Sequence, residues 1–155
     1  ALGVPQDGAA GVFLLLKDTL ELLEQSETVQ DILPILFRLR LASQQGYAPA
    51  LTACVSCGKK DFDHAGFLVS EGTIVCPDCV SGRGNIVEIS GKSLDVLRQV
   101  QEVSPLHWHF LMSGSSEETG GVLLPAERRE CARAVDGFVQ YHLGLTWDRG
   151  RFRRM

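Results

Sequence analysis

Cys54-Val55-Ser56-Cys57-Gly58-Lys59-Lys60 and, further on, Val75-Cys76-Pro77-Asp78-Cys79 form the stretch on which the fold turns. The pattern is CxxC, 18 intervening residues, CxxC. That spacing fits a four-thiolate zinc site. Two cysteines three apart on a tight turn point both sulfurs at one tetrahedral ion, and a second such turn supplies the other pair. Gly58 suits the left-handed backbone such a turn needs. Gly72 marks a reversal between two β-prone runs, residues 66–70 and 73–76. The segment therefore reads as a zinc ribbon with Cys54, Cys57, Cys76 and Cys79 as ligands. The alternatives are two disulfides or four ordinary buried thiols. Zinc is favoured because no signal peptide is visible, which points to a reducing cytoplasm, and because four of the five cysteines fall in the two pairs. Four thiolates leave no open position for water, so the site is expected to be structural. A zinc deaminase needs His-x-Glu upstream of its PCxxC, and the sequence has none.

Working outward, helical periodicity appears on both sides. Residues 12, 15, 16, 19, 20 and 23, apolar except for Thr19, predict a helix over 10–25. A second helix is expected over 31–45, capped by Asp31, with Pro34 in its first turn and Gly46 closing it. Beyond Cys79, residues 86–89 read as a short strand or extended return, and Ser90 or Ser93 can cap a third helix over about 91–103. Residues 105–112 suggest a short helix with Trp108 and Phe110 in the core. Pro125 opens a long helix whose stripe is Cys131, Ala134, Val135, Phe138, Val139 and Leu143, ended by Gly144. The fold class read from this is mainly α: one helical domain over residues 1–155, a helical bundle with a four-cysteine zinc-ribbon β-hairpin module inserted at 50–84.

Hydrophobic residues make up 45% of the 155, enough for a core. No apolar run is long enough to span a membrane. The net charge of −4 excludes a uniformly basic nucleic-acid binder. The charge is uneven, however: from Pro125 onward seven arginines face four acids. Arg149, Arg151, Arg153 and Arg154, with Trp147 and Phe152 between them, read as a flexible tail suited to phosphate contacts and base stacking. The bland alternative is a solvated basic terminus. Lys59 and Lys60 at the knuckle tip could touch phosphate, although Asp61 and Asp63 beside them suit an ordinary charged loop. Arg128, Arg129 and Arg133 sit where the helix dipole disfavours positive charge, which hints at a binding face, unless Glu127 and Glu130 simply neutralise them. His107 and His109 flank Trp108, and His64 lies in the hairpin; all three read as ordinary residues rather than ligands. Cys131 reads as a buried inert thiol. The sequence has no phosphate-loop glycines, no GxSxG and no paired catalytic carboxylates, so no enzyme activity is expected.

Several features coincide in a way that identifies a family. Gln45-Gly46-Tyr47-Ala48-Pro49-Ala50-Leu51 leads into the first CxxCG. A hairpin containing Phe67 reaches the second CxxC, and Tyr141-His142-Leu143-Gly144 precedes Arg149-Gly150-Arg151-Phe152. From about residue 12 to 153 this resembles the C-terminal region of the bacterial recombination mediator RecO. The resemblance implies an upstream OB-fold domain, which is not in this chain. It also implies a non-enzymatic role in DNA repair: binding single- and double-stranded DNA, partnering RecR-like and SSB-like proteins, loading recombinase onto SSB-coated strands and annealing strands. A cytoplasmic, nucleoid-associated place follows, with no membrane or small-molecule substrate. An acidic SSB tail would suit the same arginines. The competing reading is a structural zinc-ribbon scaffold of a larger enzyme or transcription-related protein.

Overall fold

The computed structural model describes residues 6–25, 32–108, 123–148 and 151–154. Helix α1 runs Gln6–Gln25 and α2 runs Leu33–Gln44. Strands β1 Ala50–Cys54, β2 His64–Leu68, β3 Thr73–Val75 and β4 Ile86–Ser90 follow. Then come α3 Gly91–Glu102, a 3₁₀ turn Pro105–His107, α4 Pro125–Leu143, and the strands β5 Leu145–Asp148 and β6 Arg151–Arg154.

The helices form where periodicity and end signals coincide. In α1, Leu15, Thr19 and Leu22 are buried on one face, and the Thr19 hydroxyl donates to the Leu15 carbonyl at 2.7 Å. In α2, Leu33, Leu36, Leu39 and Ala42 face inward. Pro34 occupies the first turn, where its missing N–H costs nothing. The residue at its N-cap is Ile32, which offers no side-chain cap. Asp31, expected to cap it, lies outside the described residues, as do Phe110 and the second half of the short helix expected over 105–112. Ser90 caps α3, its hydroxyl accepting from the Ser93 N–H at 3.2 Å.

The expectation of a mainly α fold with an added hairpin is overturned. The ribbon strands belong to a four-stranded mixed sheet in the order β1-β3-β2-β4. The β2–β3 hairpin pairs Phe67 with Ile74 and Leu68 with Thr73. Strand β4 adds antiparallel to β2 over five residue pairs, from His64–Ser90 to Leu68–Ile86. Strand β1 adds parallel to β3, with a register shift between Ala50 and Cys54. Residues 50–54, at the start of the expected ribbon and not expected to form a strand, are thus an edge strand. Both additions are non-local pairings between short segments, which local periodicity does not reveal.

The sheet joins the helical core rather than standing apart from it. Alternation along the strands sends Ala65, Phe67, Ile74 and Ile89 into one buried cluster with Leu36, Leu39, Leu94, Leu97, Val100, Trp108, Val135 and Phe138. The other face carries a smaller cluster of Leu68, Val75, Cys54 and Cys76, backed by Phe62, Cys79, Val80 and Ile86. Fully burying a Leu or Ile side chain contributes about 1.5–3 kcal/mol. The larger cluster therefore holds the domain, and the smaller one seats the knuckles.

Candidate functional site

The two knuckles grow from the ends of paired strands. Strand β1 ends at Cys54, and the Gly58 N–H donates to the Cys54 carbonyl at 2.9 Å, closing the first turn. Gly58 has φ +77°, a left-handed backbone that disfavours any Cβ. The Cys54 N–H in turn donates to the Lys59 carbonyl at 2.8 Å. The second turn follows β3, with the Cys79 N–H donating to the Cys76 carbonyl at 3.0 Å. The Val55 N–H donates to the Ile74 carbonyl at 2.9 Å, and the Cys76 N–H donates to the Cys54 sulfur at 3.3 Å, stitching one turn to the other.

The four sulfurs of Cys54, Cys57, Cys76 and Cys79 lie within 4.8 Å of one another, and those of Cys57 and Cys76 are 3.7 Å apart. A tetrahedron of Zn–S bonds of about 2.3 Å has edges of about 3.8 Å. A disulfide needs about 2.05 Å, and all five cysteines are free thiols. Cys54 and Cys76 are buried, Cys79 is half-buried and Cys57 is exposed. The group of four can therefore hold one metal ion.

The electrostatics of these thiols point the same way. Burial pushes the Cys54 thiol up, but the N–H groups of Cys76, Cys57 and Ser56 outweigh it and bring it down to about 6. The Cys76 thiol, which shares its hydrogen-bonding capacity, pushes Cys79 up to about 12, helped by burial. At Cys57 the Lys59 N–H lowers the pKa, yet the sulfurs of Cys54 and Cys76 raise it overall. One sulfur is prepared to be a thiolate while two neighbours resist joining it. Compensation of that repulsion is what a dication supplies when bound.

The described DNA or partner residues lie on different elements. Lys59 and Lys60 are exposed and line a cavity of about 350 Å³ with Asp61, Asp63, Asp95 and Arg98, a lining of mixed charge. Arg149 lies outside the described residues. Arg151, Arg153 and Arg154, read as part of a flexible tail, form β6, paired antiparallel to β5 with Trp147 opposite Phe152. Gly144, at φ +61°, makes the left-handed turn that sends the chain from α4 straight into this hairpin. Glu127 and Glu130 do more than neutralise the arginines at the start of α4. Glu127 accepts from the Leu124 N–H at 2.6 Å, and Glu130 accepts from the Ser90 N–H at 3.0 Å and the Ser93 hydroxyl at 2.9 Å. His64 and His107 are exposed and His109 lies outside the described residues; neither His64 nor His107 joins the thiol cluster. Cys131 is fully buried, apart from the other four.

Sequence reasoning missed an aromatic cluster at the far end of α4. The His142 ring lies 4.3 Å from Phe138, 5.2 Å from Tyr141 and 6.4 Å from Tyr47. Tyr47 and Tyr141 served only as motif letters. Nothing in their spacing signals that Tyr47 packs against His142.

Residues 2–151 match the family described as Recombination protein O C terminal. The chain is similar to the DNA repair protein RecO of Nitratidesulfovibrio vulgaris, at 47% identity over 161 residues, covering 100% of this chain and 60% of that protein. It is 42% identical to the RecO of Oleidesulfovibrio alaskensis, covering 100% of this chain and 59% of that protein. With the RecO of Lawsonia intracellularis it shares 38% identity, covering 99% of this chain and 59% of that protein. The chain thus spans about 60% of the length of the curated relatives it matches. No solved structure matches it significantly. The match over nearly the whole length establishes that the chain belongs to the RecO C-terminal family.

Proposed function

We propose that this chain is the C-terminal part of a non-enzymatic DNA-repair and recombination mediator. In this reading the four cysteines hold a structural Zn²⁺ and the arginine hairpin contributes to binding DNA or an acidic partner peptide. The observation that carries the reading is the family match, joined to a four-thiolate cluster of tetrahedral dimensions. A complete set of four thiolates gives zinc a folding role and leaves no position for a reacting water. The free thiols suit a reducing cytoplasm. Among the described residues, no helix is long and apolar enough to cross a membrane.

RecR-like and SSB-like proteins are the proposed partners, together with single- and double-stranded DNA, and loading of recombinase onto coated strands is the proposed outcome. Arg151 and Arg153 are placed in β6, and arginine suits both phosphate and carboxylate by bidentate hydrogen bonding. Calorimetry of the chain with a single strand, and with the acidic C-terminal peptide of SSB, tests this. Binding that weakens steeply with salt and falls on Arg151→Ala/Arg153→Ala is expected. No heat with either ligand at low salt would remove the binding role from this part of the protein.

A further inference from the structure

Rings climb from the core to the surface at the C-terminal end of α4. Phe67 and Phe138 are both buried, edge to face with centroids 6.1 Å apart at 64°. Phe138 meets His142 at 4.3 Å. His142 then meets Tyr141 at 5.2 Å and Tyr47 at 6.4 Å. The two tyrosines, Tyr141 and Tyr47, are 58% and 43% exposed. Isolated exposed tyrosines need no explanation. Tyr141 adjoins His142 in the chain, and Tyr47, from a segment far away in sequence, packs against the same histidine, whose ring sits tilted at 45° on buried Phe138. Such rings are held in place before any ligand arrives, so little ordering entropy opposes stacking on them.

The charge lies alongside. Gly144 follows Leu143 at the end of α4, and the hairpin register sets Leu145 opposite Arg154 and Thr146 opposite Arg153. Strand β6 thus brings its last arginines back beside the residues that directly follow the aromatic end of the helix. Opposed Cα atoms in such a ladder are about 4.5–5.5 Å apart.

We propose that Tyr47 and Tyr141, held by His142, form a stacking step for the bases of single-stranded nucleic acid, with β6 as the source of phosphate-neutralising charge. This rests on the DNA-binding reading above and assigns that binding a place. A duplex keeps its base faces covered, whereas a single strand presents one to each ring.

Fluorescence anisotropy on the 155-residue chain tests the proposal, using labelled oligothymidylate and an abasic strand of equal length. Tyr47→Leu and Tyr141→Leu should each weaken oligothymidylate binding roughly five- to hundredfold. Tyr47→Phe and Tyr141→Phe should retain it. The leucine variants should leave the salt slope and the abasic affinity unchanged, whereas Arg151→Ala should flatten the slope. Leucine variants equal to wild type on oligothymidylate would overturn the stacking step and leave DNA binding standing. Wild type that fails to distinguish oligothymidylate from the abasic strand would do the same, independently of how any variant folds. Loss of binding to an acidic peptide with oligothymidylate affinity intact would reassign the rings to a protein partner and overturn the step. A wild type that binds neither strand at low salt would remove the DNA reading along with it.

Discussion

Cys54 and Cys131 carry the same functional group with opposite fates. Cys131 is fully buried on α4, and burial pushes its thiol up to about 12. Cys54 is buried too, but three N–H donors pull it down to about 6. The thiolate is the reactive form. Cys131 should therefore resist iodoacetamide at pH 8 in the folded chain and react only after denaturation, as read by intact mass; labelling of the native protein at Cys131 would contradict its placement. Glu130 offers a second residue-level test. Burial raises its carboxyl, but the Ser90 N–H and the Ser90 and Ser93 hydroxyls outweigh that and hold it below the ordinary 4.5. A lowered pKa in the folded state contributes stability that is present above 4.5 and lost as pH falls through the folded value. Glu130→Gln should therefore cost about 1.5–3 kcal/mol in urea unfolding at pH 7. The gap to wild type should narrow in acid. A gap that stays constant with pH would assign the loss to shape rather than charge.

Helix α3 is the element on which the site is mounted. Ser90 and Glu130 secure its first turn. At its other end the Arg40 guanidinium donates to the carbonyls of Val100, Gln101 and Val103, the acceptors a helix leaves unpaired. Between them, Arg98 donates to the carbonyls of Leu51 and Thr52 on β1 and of Lys60 just past the first knuckle. Arg98 therefore couples the helix to the strand that ends in Cys54. Arg98→Ala should leave the helical circular dichroism intact and speed zinc transfer to a chromogenic chelator several-fold. Arg40→Met should lower stability by about 1–3 kcal/mol with zinc retention unchanged. If the two variants showed the same chelator kinetics, Arg98 would be only a general stabiliser. The Ser90 cap was legible in sequence because serine before an amphipathic run is a local signal. The roles of the two arginines were not, because the carbonyls they bridge to are more than 35 residues away.

At the scale of the molecule, the sheet is shared between the four-cysteine cluster and the main core. Strand β1 brings Leu51 into the large cluster and Cys54 into the small one, and β3 does the same with Ile74 and Val75. Chelation should therefore release the knuckles without dissolving the helices. The far-ultraviolet helical signal at 20 °C should persist, while Tm falls by roughly 10 °C for a site contributing about 3 kcal/mol. Retention of Tm after complete metal removal, verified by elemental analysis, would show that the small cluster suffices alone.

The sequence by itself determined the four clustered cysteines, the hairpin turn, the Ser90 cap, the Gly144 stop and the family, because each is written in short local motifs. Only the tertiary structure decided that the ribbon is part of a four-stranded mixed sheet, that the arginine tail is a paired strand, and that Tyr47 packs against His142. Those outcomes depend on pairings between distant segments. Their free energy comes from joint burial and hydrogen bonding, which no local pattern encodes.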